Sequence, residues 1–289
     1  MLVNRLISQH TIKGFEIYPS AVRIVRDSYR VNQKPCEPPP RGTITAFSDA
    51  SKRRLRFTAG NTSTPLISQF CLTYHKTCPD GRTTKKHLNA WLQRIRTLFP
   101  DVAYLWVLEF QTRGVPHYHI WLNLHHETPA LRGILAKAWN RIAEPDSPEH
   151  LEFHKHKNNF VAWDMYATGY LVKYLDKQHQ KAVPVGYSDV GRFWGNSRGL
   201  LAIPEQITPA DLEHLQPLDT ETGELGTDPC TYIVRTLGKC HEKKLCRSPW
   251  RSRARTAMTS YTLQTAAPSF RQLRDYLQRC YENDTGNPF

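Results

Sequence analysis

The stretch between Tyr104 and Leu122 constrains this chain more than any other. Residues 104–111 and 116–122 are rich in aromatic and aliphatic side chains, and Arg113-Gly114 between them is a turn signal, so the sequence predicts a β-hairpin. A turn centred on Arg113 sets Glu109 opposite His117. Directly opposed residues share a face of the sheet, and so do residues two apart on one strand. Glu109, His117 and His119 therefore project from one side, with Gln111 beside them. Two imidazoles roughly 7 Å apart along a strand can straddle one divalent cation. With a carboxylate and open positions, such a site suits Mg²⁺ or Mn²⁺ acting as a Lewis acid on a phosphate. A His-x-His pair on a surface strand also occurs with no ligand at all, so its context decides.

Residues 67–74 read as a buried strand, closed by the turn-like run Cys78-Pro79-Asp80-Gly81-Arg82. From Thr84 the positions Leu88, Trp91, Leu92, Ile95 and Leu98 follow helical spacing, which turns Lys85, Lys86, Arg94 and Arg96 outward. A second helix spans 129–142 and is broken by Glu144-Pro145-Asp146-Ser147-Pro148. Residues 163–177 are helical in pattern as well. A wheel places Tyr166, Tyr170, Lys173, Tyr174 and Lys177 within one arc of about 100°, while Leu171, Val172 and Leu175 occupy another suited to packing. A tyrosine stripe alone reads as packing, but two lysines in the same arc make its complete burial costly. The fold class expected is α+β: an antiparallel sheet of about five strands flanked by helices, with the active site on its open face.

Three motifs, in order, carry a resemblance to a known family. Phe70-Cys71-Leu72-Thr73-Tyr74 is similar to its first motif, a strand ending in Leu-Thr-Tyr. Glu109-Phe110-Gln111-Thr112-Arg113-Gly114-Val115-Pro116-His117-Tyr118-His119 resembles the His-hydrophobic-His metal motif, and Tyr170-Leu171-Val172-Lys173-Tyr174 the nucleophile motif Tyr-x-x-Lys-Tyr. Together they resemble the HUH endonucleases, in the two-tyrosine version carried by rolling-circle replication initiators of small phages and plasmids. The resemblance covers roughly residues 45–200. It implies Glu109, His117 and His119 as metal ligands, Tyr170 as principal nucleophile, Lys173 as its assistant and Tyr174 as a second nucleophile. It also implies nicking of single-stranded DNA at an origin, a 5′-phosphotyrosine intermediate and later rejoining of ends. The implied partners are single-stranded or origin-hairpin DNA and a host helicase and DNA polymerase, in the cytoplasm of a bacterial host cell. Transposases and relaxases share this chemistry, but neither a zinc-bearing amino end nor a differently placed histidine triad is visible. A non-catalytic DNA-binding regulator is a further alternative, against which the full set of catalytic residue types counts.

Charge agrees with a polyanionic partner. Lys+Arg 39 against Asp+Glu 26 gives a net charge of +13. The run Lys52-Arg53-Arg54-Leu55-Arg56 reads first as a solvated helix face. Arg53, Arg54 and Arg56 are nonetheless candidates for phosphate contact, as are Arg113 and Lys177. In Arg192-Phe193-Trp194-Gly195-Asn196-Ser197-Arg198, Arg192, Trp194 and Arg198 would grip phosphates and stack on bases. This segment too is similar to one that follows the nucleophile helix in the family.

Segment boundaries follow composition. Residues 1–40 read as a basic extension, with a helix over 17–31 and a Pro-rich connector. Residues 41–200 would form the nuclease domain, and 201–289 an accessory region, acidic then basic, with a short helix over 269–281. The seven cysteines are scattered, which argues for free thiols rather than a disulfide framework or a zinc module. No apolar run reaches the roughly 18 residues of a membrane span. No Walker A loop occurs, so unwinding of duplex DNA must come from another protein.

Overall fold

The computed structural model describes residues 12–26, 44, 46–124, 128–162 and 182–212, with short pieces at 230, 233, 250–251, 259–262 and 275. Its contacts divide the chain into two compact units, Met1–Pro38 with Ile203–Phe289, and Pro39–Ala202.

The first unit corrects the expected helix over 17–31 where it is described, at 17–26; residues 27–31 lie outside the described residues. Strand β1 (Ile12–Tyr18) turns through Pro19-Ser20 into β2 (Ala21–Arg26) and pairs with it antiparallel, Tyr18 opposite Ala21. Proline and serine between two β-rich runs are turn chemistry, and Phe15, Tyr18, Val22 and Ile24 are buried. The partners that make these segments strands lie far along the chain. They complete a five-stranded sheet in the order β8-β1-β2-β10-β9, with β8 at Glu205–Ile207, β9 at Trp250–Arg251 and β10 at Thr259–Thr262.

The second unit is the expected α+β body. Its sheet has five antiparallel strands in the order β6-β3-β5-β4-β7, with β3 at Ser68–Thr73, β4 at Tyr104–Phe110, β5 at Pro116–Leu122, β6 at Phe160–Ala162 and β7 at Trp194–Asn196. Each helix has a sequence-readable start: Ser48 caps α1 (Asp49–Gly60), Asp80 caps α2 (Gly81–Leu98), Thr128 caps α3 (Pro129–Ala143) and Ser147 caps α4 (Pro148–Lys155).

Pleat alternation gives the sheet two unlike faces. Phe70, Leu72, Trp106, Tyr118 and Ile120 share one face. There α2 and α3 pack on it: Phe70 stacks on Trp91, Tyr118 donates to Thr84, and Trp91 donates to the Leu135 carbonyl. The opposite face carries Gln69, Cys71 and Thr73 on β3, Val107 and Glu109 on β4, and His117, His119 and Trp121 on β5.

Lys85 does not face solvent as its helical spacing suggested. Its ammonium lies 4.5 Å from the Trp106 ring centre and 4.9 Å from that of Tyr118, and burial pushes its pKa down to about 7. Lys86, Arg94 and Arg96 are exposed as expected, Arg96 also donating to the Tyr104 hydroxyl at 2.7 Å, whereas Leu98 is the exposed member of the apolar series.

Candidate metal centre

Strand pairing alone brings the polar residues together. Glu109 on β4 faces His117 on β5, the register expected from a turn at Arg113. One step along the same face, His119 sits between Val107 on β4 and Cys71 on β3. The two imidazole rings stack with centres 4.5 Å apart at 25°. The face is less open here than expected, because Glu109 and His119 are buried while His117 is partly exposed.

Each ring of the pair is gripped at defined atoms. Glu109 Oε2 lies 3.2 Å from His119 Nε2. The other edge of that ring, Nδ1, lies 2.5 Å from Gln69 Nε2 and 3.3 Å from Cys71 Sγ. His117 Nδ1 lies 3.0 Å from Gln111 Nε2. Gln111 in turn accepts a hydrogen bond of 2.9 Å from Arg113 Nε, and the same guanidinium donates to the main-chain carbonyls of Tyr74 and His75. The hairpin turn is thus pinned to the end of β3, and the pin reaches the ring of His117. Arg113, singled out as a DNA contact, is exposed yet engaged in this chain.

Among the described residues the ligand atoms of Cys71, His117 and His119 fall within 4.8 Å of one another. Cys71 and Gln69 were not among the expected site residues. Local sequence holds no cue for them, because they join the site only through the pairing of β3 with β5, across a separation set by tertiary structure. Burial pushes the Cys71 thiol up to about 12; Gln69 pulls the other way, and the Glu109 carboxylate adds to the rise. The residues fit a divalent ion: nitrogen from two imidazoles, carboxylate oxygen on one side and thiol sulfur on the other, all on a rigid sheet.

A buried network supports the far end of β3. Trp139 donates to the Thr73 carbonyl at 2.8 Å, and His150 Nε2 lies 3.1 Å from the same oxygen. Glu144 accepts from the main-chain N–H groups of His75, Lys76 and Thr77. Burial would raise the pKa of this carboxyl, but the three N–H groups hold it below the usual range.

Arg53 and Arg54 are exposed on α1, and Arg192 and Arg198 are exposed on either side of β7. Arg56 is partly buried. Trp194 is partly buried and donates to Ser51 of α1 at 3.0 Å, while its neighbour Phe193 is buried and stacks on Phe47. The segment expected to be a basic, aromatic surface is therefore in part an edge strand that holds α1. Tyr170, Lys173, Tyr174 and Lys177 lie outside the described residues, as does most of 201–289.

No helix among the described residues is long and apolar enough to cross a membrane. No curated protein and no solved structure matches the chain significantly. Residues 68–179, less than half the chain but all of β3, the hairpin and the Tyr-x-x-Lys-Tyr stretch, match the model of the family described as Replication-associated protein ORF2; this family of rolling-circle replication initiators bears out the resemblance read from the sequence.

Proposed function

We propose that the chain nicks single-stranded DNA at a replication origin and later rejoins the ends, with Tyr170 as first nucleophile. One observation carries this reading: Glu109, His117 and His119 meet on one face of a sheet within the segment that matches the initiator family. A phosphodiester repels nucleophiles by its negative charge, so the reaction needs cationic help at a non-bridging oxygen. Glu109, His117 and His119 would hold Mg²⁺ or Mn²⁺, which when bound would supply that Lewis-acid help.

The chain's own residues do the rest. A tyrosine hydroxyl has a reference pKa of about 10, and the ammonium of Lys173, three residues on in the sequence, would favour its phenolate as it engages phosphorus. A bond forms between Tyr170 Oη and phosphorus while the bond to the 3′ oxygen breaks. The phenolic proton ends on that 3′ oxygen, leaving a free 3′-OH and a 5′-phosphotyrosine. The ester keeps the energy of the bond it replaced, so a DNA 3′-OH can reverse the step. Tyr174 then serves the second transfer. Gln69 and Gln111 hold the Nδ1 edges of His119 and His117 and so orient the two rings.

The test uses single-stranded origin DNA labelled on either side of the nick, with Mn²⁺. Label 3′ of the nick should travel with the protein in denaturing gels, and label 5′ of it should be released with a 3′-OH. His117→Ala and His119→Ala should each lower the rate by more than about 100-fold while leaving DNA binding largely intact. Full activity of both variants in excess metal would refute the ligand assignment.

A further inference from the structure

The proposed nicking reaction assigns no role to Cys71, yet its thiol lies within the same cluster as His117 and His119. It lies on β3 directly across from His119, with Sγ 3.3 Å from Nδ1 of that ring. Glu109 meets the opposite edge of the same ring, Oε2 3.2 Å from Nε2. His119 therefore stands between a hard carboxylate and a soft thiol. Cys71, His117 and His119 present ligand atoms within 4.8 Å of one another, so the thiol and the two rings make a donor set of their own. Sulfur with two imidazole nitrogens favours Zn²⁺ and its analogue Co²⁺ over Mg²⁺ and Mn²⁺.

We propose that Cys71, His117 and His119 form a thiophilic metal site whose occupation by Zn²⁺ excludes the divalent ion held for nicking. Capture exchanges a proton for the metal: the S–H bond breaks, the sulfur electron pair forms the S–metal bond, and the proton passes to solvent. No electron changes hands. The two donor sets share both rings, though at opposite edges of His119, and two dications in so small a cluster repel each other, so binding of one ion excludes the other. The capture half stands on the cluster alone; the competition half rests on the reading that Glu109, His117 and His119 hold the nicking ion.

Cobalt reports the thiolate directly. The full, reduced chain titrated with Co²⁺ should develop a near-ultraviolet sulfur-to-cobalt absorption band that saturates at one equivalent. The band should be lost in Cys71→Ser and Cys71→Ala, and kept in Glu109→Gln. The other cysteines stay in every variant, so a band that survives in both Cys71 variants overturns the site, as does no band in the parent chain. Zinc affinity, measured by competition with a chromophoric chelator, should fall about 100-fold in Cys71→Ser. Competition is read from bound Mn²⁺ by electron paramagnetic resonance. One equivalent of Zn²⁺ should release it from the parent chain but not from Cys71→Ser; equal release from both, or no Mn²⁺ binding at all beside an intact cobalt band, sinks the competition. Failure to nick DNA while both metals bind as described would count against the nicking reading and leave this one standing.

Discussion

The main-chain N–H of Thr73 donates to His154 Nε2 at 3.2 Å, while His154 Nδ1 sits 2.8 Å from the carbonyl of His150. The first contact makes Nε2 an acceptor, so the proton must ride on Nδ1 and the ring is neutral. Burial pushes the pKa of His154 down to about 3, against an opposing pull from the His150 carbonyl.

The consequence for stability has a definite sign. Below the ordinary histidine value of about 6.5 the unfolded chain binds a proton that the folded chain refuses. The contribution is fully present above that pH and is lost as pH falls towards the folded pKa. The unfolding free energy from urea titrations should fall by about 2 kcal/mol between about pH 6.5 and about pH 5. His154→Gln should start less stable but vary less over that window. A parent chain equally stable at both pH values would remove the argument.

Gln111 links the hairpin tip to the site, since it accepts from Arg113 and holds Nδ1 of His117. Gln111→Leu should keep the fold and lower Mn²⁺ affinity about 10–100-fold, the usual effect of releasing a metal-binding ring from its support. Calorimetric titration decides it; an unchanged affinity would mean that other contacts orient the ring.

Gly133 lies inside α3, where an added Cβ would meet nothing within 4 Å. Its backbone is not in the left-handed region, so alanine can take the same conformation. Gly133→Ala should raise stability by about 0.5–1 kcal/mol, visible as a higher urea midpoint at an unchanged slope. A lower midpoint would show that the helix needs the glycine for a reason other than space.

Arg53, Arg54, Arg192 and Arg198 are exposed within the unit that carries the hairpin. If they contact phosphates, binding of single-stranded DNA should weaken steeply with salt, each contact adding about −0.7 to the logarithmic slope. Replacing Arg53 and Arg54 together with glutamine should flatten the slope by up to about twice that amount. An unaltered slope in the double variant would clear α1 of any role at the backbone.

The two tyrosines should differ in their part. On a helix they would stand one turn apart, about 6 Å along the axis, but Lys173 follows Tyr170 with the spacing of the single-tyrosine members of the family. Tyr170→Phe should lose most initial cleavage. Tyr174→Phe should form the first covalent adduct and then fail to release a closed circle. If Tyr174→Phe cannot form that adduct while Tyr170→Phe can, the roles are reversed.

What could be read from the sequence was what local rules govern. The Arg113-Gly114 turn sets the pairing of Glu109 with His117, because a hairpin leaves no freedom of register once its turn is placed. The caps at Asp80 and Thr128 mark helix starts for the same local reason. Cys71 was missed because its neighbour His119 lies on a strand reached only after a helix and a hairpin strand have intervened. The helix expected over 17–31 failed on the same ground: Ala21, Val22, Ile24 and Val25 satisfy a helical period locally, but distant β8 and β10 offer pairing edges that win. Lys85 shows the third kind of miss, in which helical spacing points a charge outward and two aromatic rings draw it in.

Pairing of Ala162 with Ser68 fixes one end of the stretch that holds the tyrosines, and Pro184 lies against Gly114 at the hairpin tip soon after its other end. Ser68 pairs with Leu122 at the opposite end of β5 from that tip. The described residues on either side of 163–181 are thus fixed at the two ends of the strand bearing His117 and His119. That strand is about 23 Å long, and a helix over residues 163–181 would span about 28 Å. The sheet that carries the histidines is thus also the frame to which both described flanks of that stretch are fastened, so unpairing Ala162 from Ser68 or lifting Pro184 from Gly114 would release one flank without touching either histidine.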